Sequence, residues 1–161
     1  MAEDLIITGN SRDEIYRSLT PQVAALLDYE TDLIANMGNF CAAVKEAFGF
    51  LWVGFYLVKE LELVLGPFQG PVACTRIGFG KGVCGACWEL KEAIIVDDVD
   101  SFPGHIACSS ASKSEIVIPL LEHGKVWAVL DVDSAIPGDF SLLDRLHLSS
   151  MLGHIRPVQI V

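Results

Sequence analysis

The chain is poor in positive charge: 11 lysines and arginines stand against 21 acids, a net charge of −10. Without a basic patch to track a phosphate backbone, nucleic acid is a poor partner. No apolar run approaches the roughly 18–20 residues that span a bilayer, which argues against a membrane protein. The opening residues MAEDLIITGNSRDE are acidic and lack the basic flank and apolar stretch of a secretory signal, which points to a cytoplasmic protein. There is no internal repeat, low-complexity tract or linker. There is also no second CxxC and no HxxxH beside the CxxC at Cys84–Cys87, which argues against a four-ligand structural zinc site and leaves a zinc-binding cysteine protein as a rival that metal analysis would separate.

Apolar residues, by contrast, make up 52% of the 161 residues, enough for one domain to bury a core without disulfide or metal staples. Five cysteines, Cys41, Cys74, Cys84, Cys87 and Cys108, are many for a cytosolic chain. Structural disulfides are rare in that compartment, which leaves core thiols, metal ligands and redox catalysts. The count does not choose among them.

Ser11 is placed to cap a first helix over about 12–27, with Asp13 and Glu14 in its first turn and Pro21 interrupting or kinking it. Thr31 and Asp32 open a second helix. Its stripe Leu33, Met37, Phe40, Cys41, Val44 and Phe48 faces a core, and Gly49 ends it. From residue 50 the period changes. FLWVGFYLV reads as a central strand, 61–65 as its hairpin partner and 72–77 as a short strand. A glycine-rich turn then leads into a short helix at about 83–91, and 93–96 is another buried strand. The segment from Asp97 to Ser114 reads as a long loop. EIVIPLL and KVWAVLDVDS form a hairpin around His123-Gly124, and a last helix covers about 139–153. This order predicts an α+β sandwich with a central, mainly antiparallel six-stranded sheet. The terminal helices pack on one face; loops and the short helix lie on the other.

Three features carry chemistry. Cys74, Cys84 and Cys108 lie beside glycine-containing turns or in the long loop, whereas Cys41 sits on an apolar stripe. Cys84 and Cys87 stand at the start of a short helix, a place that lowers thiol pKa. Next, Asp131 and Asp133 in DVD share one face of a strand. Either the strand emerges into solvent there, or the pair lines a pocket that binds an ammonium group or supplies a proton. Finally, Glu115 heads the strand after the Cys108 loop and would complete an acidic cluster across the hairpin. Trp52, in the most apolar strand, is a core indole or a wall of that pocket.

The strings GPFQGPVACTRI, GKGVCG, DSFPGHIACSSASKSEIVIPL and VLDVDS resemble the signature segments of the free methionine-(R)-sulfoxide reductases, which are stand-alone GAF domains. The resemblance runs over about residues 15–153 and implies that 1–161 form a single GAF domain. By resemblance, Cys108 is the nucleophile, Cys74 the resolving cysteine that forms a disulfide with it, and Cys84 a third active-site cysteine. Glu115, Asp131 and Asp133 correspond to the acids of the substrate pocket, and Trp52 and Tyr56 to its aromatic wall. The amides around Ile106 and Ala107 are expected to take the substrate carboxylate. Cys87 has no counterpart in the family pattern. The implied reaction reduces free methionine-(R)-sulfoxide through a cysteine sulfenic acid and an intramolecular disulfide. It needs no bound cofactor, thioredoxin is the expected reductant, and a homodimer is left open. A non-catalytic ligand-binding GAF module is the competing class.

Overall fold

The structure, a computed structural model, describes residues 4–106 and 109–157. Helix α1 (Arg12–Tyr29) starts with a capping box in which Ser11 and Glu14 satisfy each other's backbone N–H groups. Helix α2 (Leu33–Phe48) is capped by the Asp32 side chain and stopped by Gly49 at φ 66°. Pro21 does not interrupt α1, the first of the two outcomes expected of it: the helix runs through the proline. The proline removes one donor, but Thr20 Oγ1 and Gln22 Nε2 donate to the flanking carbonyls of Tyr16 and Ser18. Leu19, Val23 and Leu27 are buried on both sides of it, so packing outweighs the lost bond.

The chain then runs through β1 (Trp52–Lys59), β2 (Glu62–Gln69), β3 (Arg76–Gly78), α3 (Gly82–Leu90), β4 (Ile94–Val96), β5 (Ser114–Glu122), β6 (Lys125–Ser134) and α4 (Leu142–Leu152). The six strands form one sheet in the order β3-β2-β1-β6-β5-β4, every neighbouring pair antiparallel. β2 is longer than the expected 61–65. Its Gly66-Pro67 looks like a break, but the register between β1 and β2 shifts at Gly54/Tyr56, and a bulge accommodates the proline. β3 is correspondingly shorter than 72–77. The expected long loop contains a 3-10 turn, Val99–Ser101, and its far end is tied down by Val99 N–H to Lys113 O and Lys113 N–H to Ser134 O.

Strand alternation divides the interior. Val53 and Phe55 of β1, Ile116 and Ile118 of β5, and Leu130 and Val132 of β6 face α1, α2 and α4 in the larger core. Each fully buried side chain of this kind contributes about 1.5–3 kcal/mol. Trp52, Tyr56, Val117 and Val129 point the other way and meet Val83, Cys84 and Cys87 of α3 in a smaller core. No helix among the described residues is long and apolar enough to cross a membrane.

Candidate active site

The smaller core is where the acids lie. In the β5–β6 hairpin Glu115 is the cross-strand partner of Asp133, and Val117 of Asp131. On the other side of β6, Gly54 opposes Asp131 and Trp52 opposes Asp133. The three carboxylates therefore share one face beneath α3, and the strand does not simply emerge into water. Only 5% of Glu115 and 7% of Asp131 is exposed. Asp131 Oδ1 has no hydrogen-bond partner. Burial and the neighbouring Asp133 charge push Glu115 up to about 8. Burial, with Asp133 and Glu115 beside it, raises Asp131 well above the carboxylate range. Asp133 is pushed up to about 6 by burial, held down by the Ser112 hydroxyl, which donates to its Oδ1 at 2.5 Å. The cluster as a whole thus keeps protons above the ordinary carboxylate range, and Asp133, with the Ser112 donor, is raised less than Glu115.

Cys84 stands in the first turn of α3 with its Sγ 4.0 Å from Glu115 Oε1. The helix position was expected to favour a thiolate, and the structure reverses that. Burial, then the charges of Asp131, Glu115 and Asp133, raise the thiol well above its usual value. Cys87 is buried below it and is pushed up to about 12, chiefly by burial. Cys41 is a core thiol in the larger cluster. Among the described residues, Cys84, Glu115 and Asp131 bring one ligand atom each within 4.8 Å of one another, three donors where a closed zinc site takes four.

The aromatic wall has a second task. Trp52 stacks on Phe68 and Tyr56, with ring centroids 5.3 and 5.9 Å away. Its Nε1–H donates to Pro71 O at 3.1 Å, and the Tyr56 hydroxyl donates to Cys74 O at 3.0 Å. The two polar tips thereby hold the segment between β2 and β3. Gly54 makes room for the indole: a Cβ there would strike the Trp52 ring and Phe68. Cys74 is disulfide-bonded, and Cys41, Cys84 and Cys87 are free thiols. Cys108 and Ala107 lie outside the described residues. One cavity brings together Trp52, Tyr56, Cys84, Ile106, Glu115, Asp131 and Asp133, and Ala73, the neighbour of Cys74, also lines it.

Known proteins resemble this chain over nearly its whole length. The sequence model of the GAF domain family matches residues 12–155. GAF domain-containing protein A of Dictyostelium discoideum is 56% identical over 153 residues, covering 94% of this chain and 97% of that protein. The free methionine-R-sulfoxide reductase of Escherichia coli is 40% identical over 149 residues, 92% of this chain and 90% of its own. The chain belongs to the GAF domain family, among the free methionine-R-sulfoxide reductases. The crystal structure of such a reductase from Neisseria meningitidis, in complex with its substrate, superposes with a TM-score of 0.92. It is 47% identical and covers 94% of this chain and 92% of that one.

Two cavity residues of this GAF domain escape the sequence reading. Ser112 is 6% exposed and bonds Asp133. His105 brings Nε2 to 3.8 Å from Glu115 Oε2 with its side chain 13% exposed. Both lie in the segment between β4 and β5, where no periodicity assigns a side chain a direction. The one available signal was a histidine and five serines crowded into a single long loop.

Proposed function

We propose that this protein reduces free methionine-(R)-sulfoxide to methionine. The observation that carries the reading is the buried trio of Glu115, Asp131 and Asp133 in a cavity walled by Trp52 and Tyr56, beside a cysteine that is already disulfide-bonded. Asp133, as the ionised member, pairs with the substrate ammonium. Protonated Glu115 or Asp131 hydrogen-bonds the sulfoxide oxygen and makes the sulfur electrophilic. The amides around Ile106 and Ala107 take the carboxylate. The aromatic rings of Trp52 and Tyr56 enclose the thioether methyl and methylene groups.

The thiolate of Cys108 attacks the sulfoxide sulfur, and the oxygen passes to the cysteine with a proton from the acid. Methionine leaves and Cys108 becomes a sulfenic acid. The Cys74 thiol then displaces the oxygen as water and closes the disulfide. A dithiol reductant, with thioredoxin as the proposed physiological donor in the cytoplasm, returns two electrons and two protons. Electrons enter as thiols, so the reaction needs no resident cofactor. The assignment of Cys74 is supported by its disulfide-bonded state while Cys41, Cys84 and Cys87 remain free. Cys84, buried and protonated, is unsuited to the first attack. A closed pocket that reads both charged ends would reject methionine sulfoxide within a polypeptide, which has neither.

The test is turnover with a dithiol on the two epimers of free methionine sulfoxide and on a peptide-bound sulfoxide. Consumption of the free (R) epimer alone is expected. Equal rates on the peptide would overturn the closed-pocket account.

A further inference from the structure

We propose that Ser112 is a positioning residue: its hydroxyl holds Asp133 as the ionised carboxylate of the trio and so ties the ammonium-binding charge to the seating of residues 109–112. The inference deepens the proposed function and rests on it for the identity of the ligand.

Three observations carry it. Ser112 Oγ lies 2.5 Å from Asp133 Oδ1, and Ser112 is 6% exposed, so water competes little for the contact. The hydroxyl is aimed from both sides. On one side Ser112 N–H donates to Ser109 O at 3.3 Å and Ala111 N–H to Ser109 Oγ at 3.2 Å, forming a local turn. On the other, Lys113 N–H donates to Ser134 O at 2.8 Å, next to Asp133 itself. Finally, the groups around Asp133 do not select it by charge. Glu115 of β5, Asp131 of β6, Cys84 of α3 and Tyr56 of β1 face the same cavity and are acids or weak acids, and His105 sits against Glu115 and Lys81 at the lining. Glu115 and Asp133 are even direct cross-strand partners.

What separates Asp133 from its neighbours is a close hydroxyl donor: Glu115 meets the Cys84 thiol at 4.0 Å and His105 at 3.8 Å, and Asp131 Oδ1 has no hydrogen-bond partner among the described residues. A hydroxyl that donates to a carboxylate favours its charged form, and such a charge-assisted bond is about twice as strong as a neutral one. The bond lowers Asp133 relative to what its burial alone would give, in agreement with the geometry. Were residues 109–112 to lift away, Asp133 would take up a proton and lose its attraction for an ammonium group. Substrate affinity is thereby coupled to the fold of the segment that leads into β5.

Ser112→Ala and Ser112→Thr are compared with the wild-type enzyme in two measurements. The first is kcat and KM for free methionine-(R)-sulfoxide between pH 5.5 and 8.5. In Ser112→Ala, KM should rise about tenfold near pH 6.5, as expected for the loss of one charge-assisted bond, and the acid limb of kcat/KM should move to higher pH. The deficit should shrink toward pH 8.5, and Ser112→Thr should restore the wild-type profile. A loss that is equal at every pH would assign Ser112 a packing role only and overturn the proposal. The second measurement is the carbon NMR titration of the Asp133 carboxyl, which needs no turnover. An upward shift of its midpoint in Ser112→Ala supports the proposal even if no sulfoxide is reduced, in which case it is the substrate reading that fails. An unshifted midpoint overturns the proposal whatever the kinetics.

Discussion

Glu115 and Asp133 face each other as cross-strand partners on adjacent central strands, both turned toward α3 and away from the main core. Two carboxylates at that spacing cannot both ionise cheaply, and with Asp131 one step along β6 the cluster keeps protons well above the ordinary carboxylate range. The arrangement costs stability and supplies acid chemistry.

That cost should appear in the pH dependence of unfolding. Glu115 ionises near its ordinary value of 4.5 in the unfolded chain and at about 8 in the folded protein. Across that window the folded state holds a proton that the unfolded state has released, so stability falls as pH rises and the contribution is lost by about pH 8. Tm should drop by several degrees between pH 5.5 and 8.5. Glu115→Gln, neutral throughout, should flatten the slope and raise Tm at pH 8.5 above the wild-type value. Calorimetry at a series of pH values checks both; an equal slope in the variant would remove Glu115 from the effect.

The backbone under the indole gives a second expectation. Gly54→Ala places a methyl group against Trp52 and Phe68, and the ring must move away from Pro71 O. Overpacking of this kind costs about 1–3 kcal/mol. Urea unfolding should show that loss, and Trp fluorescence of the folded protein should shift as the indole leaves its hydrogen bond. Activity should fall as well, because Trp52 and Tyr56 together hold the segment that carries Cys74.

Tyr56→Phe separates this holding role from pocket shape. The ring and its stacking remain, and only the bond to Cys74 O is lost. About 0.5–1.5 kcal/mol of stability should go with it. The first turnover should proceed at the wild-type rate, while disulfide closure slows. Rapid-quench measurement of methionine release beside free-thiol loss checks this; equal slowing of both steps would place the hydroxyl in substrate contact instead.

Much of this was legible in the sequence for definite reasons. The period-2 pattern of VWAVLDVD puts Asp131 and Asp133 on one face whatever the fold, and the tight turn at His123-Gly124 pairs β5 with β6. The bulge at Leu120/Leu121, which shifts the register by one residue and so brings Glu115 to Asp133, has no local sequence signal. Ser11, Asp32 and Gly49 act through local hydrogen bonds and φ, so their roles read directly. Tertiary effects did not. Pro21 looks like a break because local rules cannot count the packing that absorbs it, and the expected strand 61–65 stops short because they cannot see the bulge that carries β2 on to Gln69. Cys84 looks activated because a helix terminus is visible in the sequence, whereas the carboxylates that suppress its ionisation come from β5 and β6. Ser112 and His105 sit in a non-repeating segment, and only its folded path shows what they touch.

The cysteines allow the sharpest expectation. Under the proposed mechanism Cys108→Ser should abolish turnover, because a serine hydroxyl is almost wholly protonated at neutral pH and a far weaker nucleophile toward sulfur. Cys74→Ser differs, since the first chemical step does not use Cys74. That variant should release about one methionine per enzyme and then stall at the sulfenic acid, which a dimedone-type probe would trap. Cys84 is the available substitute resolver, but it lies buried beside Glu115 with its proton held on. Resolution through it should therefore be slow and should speed up as pH rises. Removing it in a Cys74→Ser/Cys84→Ser double variant should leave the single burst and nothing after it. Quenched-flow counting of methionine, with mass mapping of the oxidised peptides, distinguishes these cases. Normal turnover by Cys108→Ser, or a bridge between Cys84 and Cys87 in the oxidised wild type, would assign the nucleophile and resolver to other residues while leaving the acid pocket in place.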